Sequence, residues 1–219
     1  MINEIAADIQ RNFEAKDKAR ESGLSLSREV VRTCGTAIRH IHRGDIDKAA
    51  ILLKNARDTL KDIELQLADH PDIYFSGFVE HAQQEFVECA ILHQLLTKEK
   101  DSAIDNNSNS DTLPSPQELG VTYAAYLNGL GDVVGELRRH ILDLIRQDMP
   151  QYGDRFLDIM DDIYSTLMMF DYPDAITRGL RRKSDVARSL IERTRGDLTN
   201  AIRQQKLEQS MKEFESRFE

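Results

Sequence analysis

Four carboxylates stand where a plain helical protein would place apolar or small residues: Glu85 and Glu88 in one segment, Asp132 and Glu136 in another. Glu85 follows Ala82 by three residues and Phe78 by seven, which on a helix sets it on the apolar face; Glu88 is its i+3 neighbour. His81 precedes Glu85 by one turn. In the second segment Ala125, Gly129, Asp132 and Glu136 recur at steps of four, three and four, so one stripe carries two small residues and then two acids. Gly131 and Gly135 lie in the same stretch. An interior glycine costs a helix about 1 kcal/mol relative to alanine, and close approach by a backbone or a ligand is the usual compensation. If the two faces meet, four carboxylates converge, and like charges cannot all stay ionised and buried without a partner. Oxygen-only ligands favour Mg²⁺ or Mn²⁺ over zinc. A metal so held can activate water and neutralise charge on a phosphoryl group. The competing reading is a solvated helix face, where acids at i,i+3 or i,i+4 are common.

Two basic groups accompany the acids. Arg28, Arg32, Arg39 and Arg43 share one helical face, with Gly35 and Thr36 between them, and such a stripe can hold a phosphate backbone. A solvated face paired with carboxylates of a neighbouring helix explains it equally well. Arg178, Arg181, Arg182 and Lys183 open the last helical segment, where cations oppose the helix dipole. A phosphate or an acidic partner, in particular an intersubunit salt bridge, would compensate.

The elements that must position these residues are helical. Apolar residues recur at helical spacing nearly throughout, and no convincing strand alternation is present. Helices are expected over 3–20, 25–43, 45–68, 73–98, 121–148 and 153–170, with a last one from near Asp174 to about residue 215 and a short turn from Pro116. Val30, Cys34, Ala37, Ile38 and Ile41 form the buried stripe of the second, and Gly44 stops it. Ile46, Ala49, Ala50, Leu53, Ala56, Leu60 and Ile63 serve the third. Phe75, Phe78, Ala82, Phe86, Cys89 and Ala90 serve the fourth, and Tyr123, Leu127, Leu130, Val134, Leu137 and Ile141 the helix over 121–148. The polar stretch 101–115 reads as a flexible loop. These segments make an all-α chain of about seven helices in one antiparallel bundle, a single domain over 1–219.

Composition narrows the function. With 219 residues, 40% hydrophobic and 31% charged, the chain can bury a full core. No apolar run of about 18 residues suggests a membrane span, and the polar amino terminus is unlike a signal peptide; a cytoplasmic protein is expected. A net charge of −9 disfavours nucleic-acid binding by bulk charge but leaves room for a local basic patch. Residues 178–206 hold seven Arg and two Lys against three acids. Cys34 and Cys89 read as small core residues in a reducing compartment. There is no nucleophilic triad, dinucleotide fingerprint or phosphate-binding Gly-Lys-Ser/Thr loop. With no Trp, a base-stacking platform is not expected. His93 follows Glu88 by five residues, so the Glu-x-x-His signature of di-iron bundles is missing and a bundle oxidase is disfavoured.

Several blocks, in order and spacing, resemble the translin and translin-associated factor X superfamily. They are Leu26-Ser-Arg28-Glu29 followed by Ile41-His-Arg43, Gln84-Glu85-Phe-Val-Glu88, Tyr126-Leu-x-Gly129-x-x-Asp132-x-x-Gly135-Glu136-Leu-x-Arg139, and Gly179 through Arg188 to Arg195-Gly196. The resemblance covers nearly the whole chain apart from 101–118 and the tail beyond about 205. It implies a seven-helix fold that assembles into a closed octameric shell around nucleic acid. It also implies that Glu85, Glu88, Asp132 and Glu136 match the acidic, Mg²⁺-dependent endoribonuclease site of translin-associated factor X. Translin lacks such acids, so this chain resembles the catalytic type. Gln83 and Gln84 depart from translin's basic residues just upstream, which shifts the expected nucleic-acid contacts to Arg28, Arg32, Arg39 and Arg43. Similarity to single-gene archaeal members implies a homo-oligomer. The resulting expectation is a metal-dependent endoribonuclease on single-stranded RNA, with Mg²⁺ or Mn²⁺ as cofactor. The alternative is a non-catalytic shell that binds single-stranded RNA or DNA.

Overall fold

The computed structural model describes residues 1–102 and 113–217. Among them helices dominate and no strand occurs: α1 Ile2–His42, α2 Ile46–Gln66, α3 Pro71–Tyr74, α4 Gly77–Ser102, α5 Pro116–Leu119, α6 Tyr123–Arg146, α7 Gly153–Leu167, α8 Asp174–Thr177 and α9 Leu180–Glu215. The all-α expectation holds. The segments expected as separate helices at 3–20 and 25–43 are one continuous helix. Gly23 does not break it, because it is buried and a Cβ there would lie 3.0 Å from Leu67 Cδ1. Its bareness admits a neighbouring side chain. Of the loop expected over 101–115, residues 101–102 belong to the end of α4, 103–112 lie outside the described residues, and 113–115 carry no regular structure.

The chain forms two compact units, Met1–Gly129 and Leu130–Glu219, and the division falls inside α6. In the first, α1 and α2 are antiparallel: the turn at Gly44 (φ 80°) joins them, and Ser22 donates to Gln66 at the far end (2.6 Å). Helix α4 runs parallel to α1, with Phe78 near Gly23 and the free Cys89 thiol hydrogen-bonded with that of Cys34. Val30, Cys34, Ala37, Ile38 and Ile41 are all buried, as their spacing predicts. Phe75 departs from its predicted place and is exposed, because it follows the short α3 instead of joining α4. Tyr123 and Ala50 are exposed too, Tyr123 because it only opens α6.

In the second unit α7 buries Phe156, Met160, Ile163 and Leu167 at steps of four, three and four. Facing it, α9 buries Leu180, Ser184, Ala187, Ile191, Thr194 and Leu198, alternating steps of four and three. Each large apolar side chain removed from water contributes about 1.5–3 kcal/mol, so these stripes hold the unit together. Gly153 seats Leu198: a Cβ there would lie 2.7 Å from Leu198 Cδ1. The last helix begins at Leu180, not at Asp174, because Arg178 (φ 53°) and Gly179 (φ 87°) both turn left-handed before it. The Asp174 carboxylate accepts from the Gly179 amide (2.6 Å) at that junction.

Candidate acidic site and nucleic-acid interface

The four acids are not on solvated faces. All are half-buried, with side-chain exposures of 24% for Glu85, 24% for Asp132 and 23% for Glu136. That separates them from ordinary surface i,i+3 pairs, whose carboxylates project into water.

In the first unit, Glu85 and Glu88 ride on α4 where it packs against α1. His81 Nε2 lies 3.9 Å from Glu85. Both carboxylates act on the buried Cys34 thiol. A hydrogen bond with Cys89, burial, and then the negative charges of Cys89, Glu85 and Glu88 push that thiol far above its usual range. The N-terminal turns of α6 come against α4 at this level. A Cβ on Gly129 would lie 2.7 Å from Val87 Cβ and 2.8 Å from the Gln84 carbonyl oxygen. This glycine is therefore required by direct backbone approach beside the acidic pair. Gln83 is buried and structural. Its Nε2 donates to the Tyr74 hydroxyl (3.1 Å), and its Oε1 accepts from the Thr122 amide (3.3 Å).

In the second unit, Asp132 and Glu136 share a face of α6. The Lys183 ammonium donates to Asp132 Oδ1, and Arg139 lies 3.7 Å from Glu136. Lys183 was grouped on sequence with Arg178, Arg181 and Arg182, where an intersubunit partner was expected; its partner is within the chain, fifty-one residues away. Arg181 and Arg182 are exposed. Arg138 reaches α9 as well, donating to Thr194 Oγ1 and Asp197 Oδ2 (2.9 Å each). Arg195 forks onto Asp161 at 2.6 and 2.9 Å.

Carboxylate oxygens are the donor chemistry that a hard cation such as Mg²⁺ takes. Among the described residues no group of three or more His, Cys, Asp or Glu side chains is gathered to hold a metal ion. At Asp132 a cation is already present, the Lys183 ammonium.

Arg28, Arg32, Arg39 and Arg43 are all exposed on the side of α1 opposite its buried stripe. Arg39 donates to Thr36 Oγ1 (2.9 Å). A hydrogen bond with His40 holds the carboxyl of Asp45, the N-cap of α2, below its usual range, and Arg43 lies near enough for its charge to help. Among the same residues no helix is long and apolar enough to cross a membrane.

Known proteins share this architecture. AfC3PO superposes with a TM-score of 0.75 in two structures. One, a duplex RNA complex, is 32% identical, covering 90% of this chain and 95% of that one. The other, a crystal structure of AfC3PO, is 33% identical, covering 90% and 96%. Apo-NeC3PO gives the same TM-score at 19% identity, with 90% and 96% covered, a likeness of fold alone. An uncharacterized protein of Methanocaldococcus jannaschii is 36% identical over 199 residues, 90% of this chain and 82% of its own length. Residues 9–194 match the Translin family, and the chain belongs to it.

Proposed function

We propose that this protein binds RNA and cleaves it endonucleolytically. The acidic chemistry is assigned to Glu85 and Glu88 of the first unit and to Asp132 and Glu136 of the second. The observation that carries the reading is the half-burial of these acids, which a solvated face does not explain. AfC3PO, similar over nine-tenths of this chain, forms a complex with duplex RNA, which supports RNA as the ligand class. Single-stranded RNA is the proposed substrate, with duplex RNA and single-stranded DNA as the comparators.

Mg²⁺, with Mn²⁺ as the alternative, is the proposed cofactor; when bound it supplies charge neutralisation at the phosphate and eases deprotonation of water. The chain's own residues do the rest. Arg28, Arg32, Arg39 and Arg43 hold the backbone phosphates by charge-assisted hydrogen bonds. A carboxylate of the acidic group takes the proton of the attacking water.

A homo-oligomer, an octamer in the fullest form of the reading, is supported by two outward apolar stripes: Ile5, Ile9 and Phe13 on α1, and Leu207, Met211 and Phe214 on α9. The second reading, binding without cleavage, draws on the same arginine stripe and on Lys183 lying against Asp132.

The deciding experiment is cleavage of labelled single-stranded RNA with Mg²⁺, with EDTA, and by Glu85→Gln/Glu88→Gln. Cleavage that requires both metal and carboxylates supports the nuclease. Binding without cleavage in every condition supports the second reading. Light scattering on the same samples tests assembly, and a monomer would overturn the shell.

A further inference from the structure

We propose that the turn between α7 and α9 is a contact for unpaired RNA bases, which stack on Phe170 and Tyr172 while Arg181 and Arg182 hold the adjoining phosphates. The inference deepens the RNA-binding reading above and rests on it; it involves no metal.

Its basis is a set of exposed side chains on a bonded backbone within the second unit. Met168, Met169, Phe170, Tyr172 and Ile176 all face water. Single exposed apolar side chains need no explanation, but a run this dense forms a patch. The backbone beneath them is held. The Met169 and Phe170 amides donate to the Thr166 and Leu167 carbonyls (3.1 and 3.2 Å), the Ile176 amide donates to the Pro173 carbonyl (2.8 Å), and the Asp174 carboxylate accepts from the Gly179 amide (2.6 Å). The rings are therefore displayed on a preset turn, which lowers the ordering cost of stacking on them. Arg181 and Arg182 follow at the start of α9, where the helix dipole opposes a cation. Both are exposed, and among the described residues neither forms an ion pair with a carboxylate, whereas Lys183 beside them has Asp132.

These side chains divide by chemistry. Every base has a π-face that an exposed ring can stack, whatever the sequence. A guanidinium takes phosphate oxygens by charge-assisted hydrogen bonds. Asp171, exposed between the two rings, repels phosphate there and can accept from a base amino group, so bases meet the rings and phosphates the arginines. A duplex keeps its bases stacked inside, so the surface selects single strands. A second protein fits less well: five side chains on one turn fall short of the roughly 20–30 residues a side of a stable interface. Composition gives no sign of this surface, since the chain lacks Trp; two other rings supply it.

The test measures binding of the full chain to a labelled, unstructured single-stranded RNA and to the same strand in a duplex, in EDTA so that no cleavage intervenes. Phe170→Leu and Tyr172→Leu keep apolar bulk and remove the ring. Each should weaken single-strand binding by about tenfold and leave duplex binding unchanged. Tyr172→Phe should bind like the parent. Arg181→Gln/Arg182→Gln should weaken both ligands. It should also reduce the slope of log affinity against log salt by about 1.4 for the single strand, two phosphate contacts at about 0.7 each. Parent-like single-strand binding in both ring variants, or equal loss for strand and duplex, overturns the proposal and leaves the RNA reading standing. A parent that binds neither ligand overturns both. Light scattering on the ring variants separates a further result: a smaller assembly in step with lost binding makes the turn a contact between copies, which also overturns the proposal.

Discussion

In Met1–Gly129 the acids Glu85 and Glu88 stand on a helix whose own buried Cys89 meets the buried Cys34 of α1. In Leu130–Glu219, Asp132 and Glu136 stand beside Lys183 and Arg139. Both units are three long helical segments with the middle one reversed, and both hold their carboxylates half-buried. They differ in what the charge meets. In the first unit it meets a histidine and raises the pKa of a neutral thiol; in the second it meets guanidinium and ammonium groups. The glycines of α6 divide the same way. Gly129 faces a carbonyl and a β-branched side chain, neither of which can yield. Gly131 faces a lysine stem, and Gly135 has only a leucine methyl, at 3.9 Å. Position in a helix did not distinguish these residues; the rigidity and charge of their neighbours does.

Substitutions can sharpen this contrast. The largest effect is expected on catalysis. Glu85→Gln/Glu88→Gln and Asp132→Asn/Glu136→Gln should each reduce RNA cleavage by about a hundredfold or more. Gel-resolved initial rates measure this, and near-parent rates in either double variant would remove that unit from the chemistry. Next comes packing. Gly129→Ala should cost about 2–3 kcal/mol through overpacking against Val87 and Gln84. Gly135→Ala should be neutral or stabilise by up to about 1 kcal/mol through helix propensity. Urea denaturation compares them, and equal effects would erase the distinction between rigid and yielding neighbours.

Asp132→Asn should lower stability by about 1 kcal/mol, since it leaves the Lys183 ammonium without its anion. The loss should shrink at high salt; a salt-independent loss would assign it to packing. The smallest effect concerns His93 on α4. Burial pushes its pKa below the ordinary imidazole value, and a hydrogen bond with the Ile46 backbone offsets part of that. The unfolded chain then takes up the proton more readily than the folded one. Stability is therefore unaffected well above pH 6.5 and falls as pH drops through the unfolded value of about 6.5. His93→Gln should flatten stability between pH 7 and 5; an unchanged slope would assign it to other groups.

Much of this was legible from residue order. The stripe Val30, Cys34, Ala37, Ile38 and Ile41 is buried where its period puts it, and Gly44 ends α1 with the positive φ its type suggests. The withdrawn positions of Glu85 and Asp132 follow from their spacing to Ala82 and Gly129. What local pattern could not carry is partnership across the chain. Nothing near Lys183 announces Asp132, and nothing near Cys34 announces Cys89, because those contacts depend on how helices dock. Gln83 shows the converse. Seen as a missing basic residue, it was the sign of a polar clamp between Tyr74 and Thr122. The break between α8 and α9 falls at Arg178 and Gly179, both left-handed; the glycine's type permits it, while nothing in the arginine's type announces it.

The buried thiols carry a practical consequence. Electrophiles and oxidants react with thiolate, and Cys34 is held firmly in the thiol form by Cys89, by burial and by the adjacent carboxylates. Cys89 is fully enclosed as well, and the chain has no other cysteine. The native thiols are thus expected to resist maleimides, so that a single cysteine introduced on an exposed helix face would be an addressable handle for a fluorophore or spin label without first deleting the native pair.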